Sequence, residues 1–169
     1  IRIIQVFVIT IFTSFFFFPF FFFFLPTINT KMFLAVLGLM TFVMDRLNNR
    51  TQAFEKGLFR ISVWALGVSC CSFLSMTLND TPDNSYLGYI VSMWVWLFAA
   101  YFCVSLMKKV HGNVTVEIVG YYLMSVALLQ CTLGLLINYF PVMDAMVNRI
   151  VTGEKYMVGI DGRLHGIGC

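Results

Sequence analysis

The sequence predicts an all-α, polytopic membrane helix bundle: about five transmembrane helices followed by a short amphipathic surface helix. Three observations predict it. Hydrophobic residues make up 60% of the chain and charged residues only 11%, less than half the ~25% charged content of a soluble domain. The apolar residues fall into long runs separated by short polar turns. The lysines and arginines gather in alternate turns. A water-soluble fold of this length could not bury so much apolar surface, so the lipid bilayer is the first partner. The net charge of +3 is small and scattered, whereas duplex binding needs a clustered basic face; no nucleic-acid partner is expected.

The first apolar run covers residues 3–25 and is rich in phenylalanine, with Pro19 inside it. At about 1.5 Å per residue a helix of that length would cross a ~30 Å hydrocarbon core, kinked at the proline. The segment from Pro26 to Thr30 reads as a turn. A second, short span over 31–47 reaches across if Lys31 and Arg46 snorkel toward the headgroups. Residues 45–60 are polar, and a third span is predicted over 61–78. It carries two small pairs four residues apart, Ala65 with Ser69 and Gly67 with Cys71, the spacing that lets helices approach closely. An acidic turn over 79–85 leads to a fourth span over 86–107. The basic stretch from Lys108 to Asn113 reads as a loop, and a fifth span runs over 118–140.

Pro141 suits a first helical turn and Gly153 a stop, so an amphipathic helix is predicted between them. Met143, Met146, Val147 and Ile150 share one face of it. The organisation is thus a transmembrane bundle over 1–140 and an outward-facing amphipathic helix with a glycine-rich loop over 141–169. With a cytoplasmic N-terminus, the inner segments hold Arg2, Arg46, Arg50, Lys56, Arg60, Lys108 and Lys109. The short outer turns hold only Lys31. That asymmetry follows the positive-inside rule and favours five spans.

No span carries Asp, Glu, Lys, Arg or His near its middle, which argues against a proton-coupled path. Gln130 is the strongest polar group deep in a span, either an interhelical hydrogen-bonding residue or a substrate contact. Trp94 and Trp96 read as space-filling between helices. His111 reads as a solvated loop histidine. Cys70, Cys71, Cys103 and Cys131 lie in apolar runs without a paired Cys-x-x-Cys pattern, so no metal site, disulfide framework or cofactor is expected. The stretch Gly162-Arg163-Leu164-His165-Gly166-Ile167-Gly168 stands apart. A forked guanidinium among bare backbone amides near the headgroups suits a lipid-linked phosphate or pyrophosphate. A loop arginine that snorkels or pairs with Asp161 is the other reading.

The arrangement resembles the N-terminal part of the O-antigen ligase and polymerase family, bacterial membrane glycan transferases of polysaccharide and cell-envelope biosynthesis. The resemblance rests on the Phe-rich first span and on the turn Leu25-Pro26-Thr27-Ile28-Asn29-Thr30-Lys31 with its short partner span. It also rests on Val147-Asn148-Arg149-Ile150-Val151 and on the Arg163 stretch. It implies that Arg163 addresses the pyrophosphate of an undecaprenyl-pyrophosphate-linked glycan at the outer face of the inner membrane. The family's catalytic histidine lies later in the chain than His165, so the general base is expected outside these residues. The chain begins at Ile1 and ends at Cys169, and is expected to be the N-terminal fragment of such a transferase, inactive alone. The alternative is a non-catalytic polytopic membrane protein, a complex subunit or a transporter fragment.

Overall fold

The computed structural model describes residues 2–22, 25–48, 52–80 and 87–152. In chain order the elements are α1 (Arg2–Phe17), β1 (Phe21–Phe22), β2 (Leu25–Asn29), α2 (Thr30–Leu47), α3 (Gln52–Asn79), α4 (Tyr89–His111), α5 (Val116–Tyr139), α6 (Pro141–Ile150) and β3 (Val151–Thr152). The class is all-α, with a small sheet added. Among the described residues, three helices are long and apolar enough to cross a membrane: Ala53–Asn79 of α3, α4 and α5. The chain is an integral membrane protein in character, its apolar helices suited to a lipid bilayer.

The helix predicted over 3–25 is corrected. It ends at Phe17 instead of kinking at Pro19. Proline offers no N–H to the preceding turn and pushes the residue before it out of the helical region. Phe21–Phe22 then becomes a strand, and the predicted turn over 26–30 becomes strand β2 and the start of α2. The other boundaries move less. α3 starts at Gln52, well before residue 61, because the intervening polar segment is built from strong helix formers such as Ala53, Glu55, Lys56 and Leu58. It stops where Asp80 takes a left-handed φ of 49°, which aspartate tolerates better than most residues. α4 runs through Lys108, Lys109 and His111, so the predicted basic loop is its last turn. Gly112, at φ 77°, supplies the left-handed stop and donates to the Lys108 carbonyl at 2.8 Å.

Thr115 caps α5, its hydroxyl accepting from Ile118 N at 3.3 Å. Phe140 is extended before Pro141, ending α5 and opening α6 as the proline predicts. The helix predicted as far as Thr152 ends at Ile150, because Val151 and Thr152 are claimed by a strand partner.

The described chain divides into two compact units. Unit 1 comprises Ile1–Leu34 with Cys103–Cys169. Its sheet has the order β2-β1-β3, antiparallel throughout. Phe21 faces Asn29 on one side and Thr152 on the other; Phe22 faces Leu25 and Val151. The pairing satisfies backbone groups that lipid could not. Below it, Ile9, Met107 and Tyr122 form a buried cluster surrounded by Leu106, Val110, Val114, Ile118 and Val119. Cys103 lies beside the Phe12 carbonyl and Met107 beside Ile9, so α1 runs antiparallel to the end of α4. Ile9 with Tyr122, and Ser14 with Gln130, make it parallel to α5.

Unit 2 comprises Ala35–Phe102. Here α2 and α4 run in the same direction and α3 runs against them. Gly38 is buried, and a Cβ added there would strike the Phe98 backbone carbonyl. Phe42, Phe54, Phe98 and Tyr101 pack edge-on and tilted around that crossing, with centroids 4.5–5.9 Å apart. Of the two small pairs in α3, Ala65 and Ser69 face the packed side and are buried. Gly67 and Cys71 lie on the opposite, open face.

Candidate functional site

The sequence-predicted site residue, Arg163, lies outside the described residues, as do Asp161, His165 and the surrounding glycines.

In unit 1, Thr30 is the key fastening. Its side chain is almost fully buried, at 1% exposure. Its Oγ1 donates to the Phe15 carbonyl and accepts from Phe20 N, both at 3.2 Å. Its own N–H donates to the Phe20 carbonyl at 3.0 Å. The Phe15 carbonyl is one of the last four of α1, which no intrahelical donor can reach. One residue thus closes the end of α1 and starts α2, while Asn29 Oδ1 caps α2 by accepting from Met32 N at 2.8 Å. The Lys31 ammonium lies 5.4 Å from the Phe16 ring centroid, within cation–π range.

Deeper in unit 1, Gln130 Nε2 donates to Ser14 Oγ at 2.9 Å. This is the interhelical hydrogen bond, the first of the two readings of Gln130. Its Oε1 is buried without a hydrogen-bond partner. Thr10 and Thr13 of the same α1 face spend their hydroxyls on the carbonyls of Val6 and Ile9. His111 is not a free loop residue. Its Nε2 lies 3.0 Å from the hydroxyl of buried Tyr122, and the rings meet edge to face.

In unit 2, the Tyr101 hydroxyl donates to Asp45 Oδ2 at 2.6 Å, a charge-assisted bond that ties α4 to the end of α2. Arg46 pairs with Glu55 across the α2 to α3 connection. Trp94 Nε1 donates to Ser62 Oγ at 2.8 Å. That bond joins α4 to α3 and agrees with a packing role, although Trp94 and Trp96 each keep an exposed side.

These contacts fasten helices. No group of three or more His, Cys, Asp or Glu that could hold a metal occurs among the described residues. Sequence reading missed Thr30 and Gly38. The one available signal for Gly38 was a lone glycine in a helix interior, which costs ~1 kcal/mol against alanine and so points to a packing reason. The chain matches no protein-family model, no curated protein and no solved structure.

Proposed function

We propose that the chain is the N-terminal membrane part of a glycan transferase that takes its donor from an undecaprenyl-pyrophosphate carrier at the outer face of the bacterial inner membrane. The observation that carries this reading is the Arg163 stretch with its flanking glycines. A guanidinium there offers two parallel donors to a pyrophosphate leaving group, and stabilising developing charge is the main demand of such a transfer. Arg163 is the pyrophosphate-binding residue of this reading; the base for the acceptor hydroxyl comes from elsewhere.

The fold of unit 1 supports the sidedness. The sheet stands at the C-terminal end of α1, whereas Lys108 and Lys109 end α4 beside the N-terminal end of α1. The positive-inside rule then assigns the lysine end to the cytoplasm and the sheet to the periplasm. β3, from which the chain runs on toward Arg163, is paired to β1 in that sheet. In this arrangement α1 and α2 cross as well, giving five spans, a cytoplasmic N-terminus and a periplasmic tail.

The test is an in-cell ligation or polymerisation assay on the full-length transferase carrying Arg163→Ala. Transfer is expected to fall strongly while the membrane level is unchanged, with Arg163→Lys restoring only part because it keeps the charge and loses the fork. Normal transfer by a well-inserted Arg163→Ala protein refutes the assignment.

A further inference from the structure

The outward face of α3 is one continuous stripe. Lys56, Arg60, Trp64, Gly67, Cys71, Leu74 and Leu78 follow at three- and four-residue steps, the spacing of a single helix face. All are exposed, Trp64 to 73%. The packed face, with Ser62, Ala65 and Ser69, lies on the other side of the helix. From Arg60 to Leu78 the rise is about 27 Å at ~1.5 Å per residue, close to the ~30 Å thickness of a hydrocarbon core. With Leu78 near one boundary, Arg60 stands at the other, and Lys56 one turn beyond it.

Among the described residues of their unit, neither cation is paired with an acid. Among its described residues the acids are Asp45, Glu55 and Asp80. Asp45 holds the Tyr101 hydroxyl and Glu55 holds Arg46. Asp80 follows the far end of the helix. Charge complementarity therefore calls for an anion at headgroup depth, directly above an apolar strip that only acyl chains or another apolar surface can cover. Trp64 sits one turn below Arg60, where an indole favours the boundary between headgroup and hydrocarbon. Beneath it, Gly67 leaves a notch with nothing within 4 Å of an added Cβ.

We propose that the outward face of α3 binds an anionic phospholipid, its phosphate between Lys56 and Arg60, its glycerol region beside Trp64 and an acyl chain along Gly67 and Cys71. Each cation near a membrane surface favours an anionic lipid by about 5-fold, so the pair gives a preference of roughly 25-fold over a zwitterionic lipid.

The test uses the whole chain in phosphatidylcholine vesicles with Trp94→Phe and Trp96→Phe, leaving Trp64 as the fluorophore. Brominated phosphatidylglycerol and brominated phosphatidylcholine are added at equal, low mole fraction and quenching of Trp64 is measured. The expected result is much stronger quenching by the anionic lipid, abolished in Lys56→Gln/Arg60→Gln and kept in the charge-conserving Lys56→Arg/Arg60→Lys. Circular dichroism of each variant verifies the helical fold. Equal quenching by the two lipids, a preference that survives Lys56→Gln/Arg60→Gln, or protection of Trp64 from both lipids overturns the proposal. Protection from both would mean that protein covers this face.

Discussion

Replacing Gly38 by alanine should loosen unit 2 where α2 meets α4. A Cβ on Gly38 falls 2.6 Å from the Phe98 carbonyl carbon and 3.3 Å from its Cα. Carbon atoms in ordinary contact stand about 3.5–4.0 Å apart, so the overlap is on the order of 1 Å. The obstacle is backbone and cannot rotate away. The helices have to part by about that distance. A gap of ~1 Å forfeits up to half of each dispersion contact it opens, and the rings of Phe42 and Phe54 rest directly on Phe98. The same movement would stretch the 2.6 Å bond from Tyr101 to Asp45 beyond the ~3.0 Å limit of a good O–H···O bond. Overpacking of this kind costs about 1–3 kcal/mol.

Alanine also gains helix propensity over glycine, up to ~1 kcal/mol, which would mask part of the loss. Gly67→Ala supplies the correction, since Gly67 lies inside α3 with open space around it. The difference between the two variants isolates the steric term. In mixed micelles titrated with dodecyl sulfate and followed by circular dichroism, Gly38→Ala should be less stable than Gly67→Ala by about 1–3 kcal/mol, roughly 5- to 150-fold in the folded ratio. Equal stability of the two would refute the close approach of α2 and α4.

Three further outcomes follow from the same geometry. Thr30→Val keeps the shape but strips the hydroxyl that serves Phe20 N and the Phe15 carbonyl, and should cost about 1–3 kcal/mol in the same titration, the penalty for unsatisfied buried groups; an unchanged midpoint would show that the clasp contributes nothing. A double-mutant cycle of Ser14→Ala with Gln130→Leu should give a coupling of about 0.6 kcal/mol and no more than ~1.7, as for other hydrogen bonds between membrane helices; strict additivity would deny the contact. In a background without native cysteines, Ser85→Cys should label from the periplasm and Asn113→Cys only after the membrane is opened, whereas labelling of both from one side would overturn the proposed sidedness.

Much of the helical order was legible because its signals are local. A run such as residues 89–107 declares a membrane helix by composition alone, wherever the rest of the chain lies. The start at Pro141 is written in the residue itself, by its missing N–H, and α6 begins there. The fifth helix, expected from residue 118, starts two residues earlier at Val116, behind the Thr115 cap. The stop of the first helix was harder to read. A phenylalanine run is equally apolar as helix or strand, so hydropathy carried the predicted span on to residue 25. Only the long-range pairing of Phe21 with Asn29 and Thr152 makes the strand worthwhile.

What only the tertiary structure decided was which face of each helix packs. In lipid the outward and inward faces are both apolar, so periodicity does not separate them as it does in water. The sequence offered Ala65 with Ser69 and Gly67 with Cys71 as equivalent pairs. Packing buries the first and leaves the second open. Ser14 as the partner of Gln130, 116 positions away, and Phe98 as the neighbour of Gly38 are likewise choices between distant helices, settled by fit and not by any local pattern. Composition by itself determined that this chain belongs in a membrane, because transfer of apolar surface depends on how much there is. Which surfaces meet depends on shape, and shape exists only once the helices are assembled.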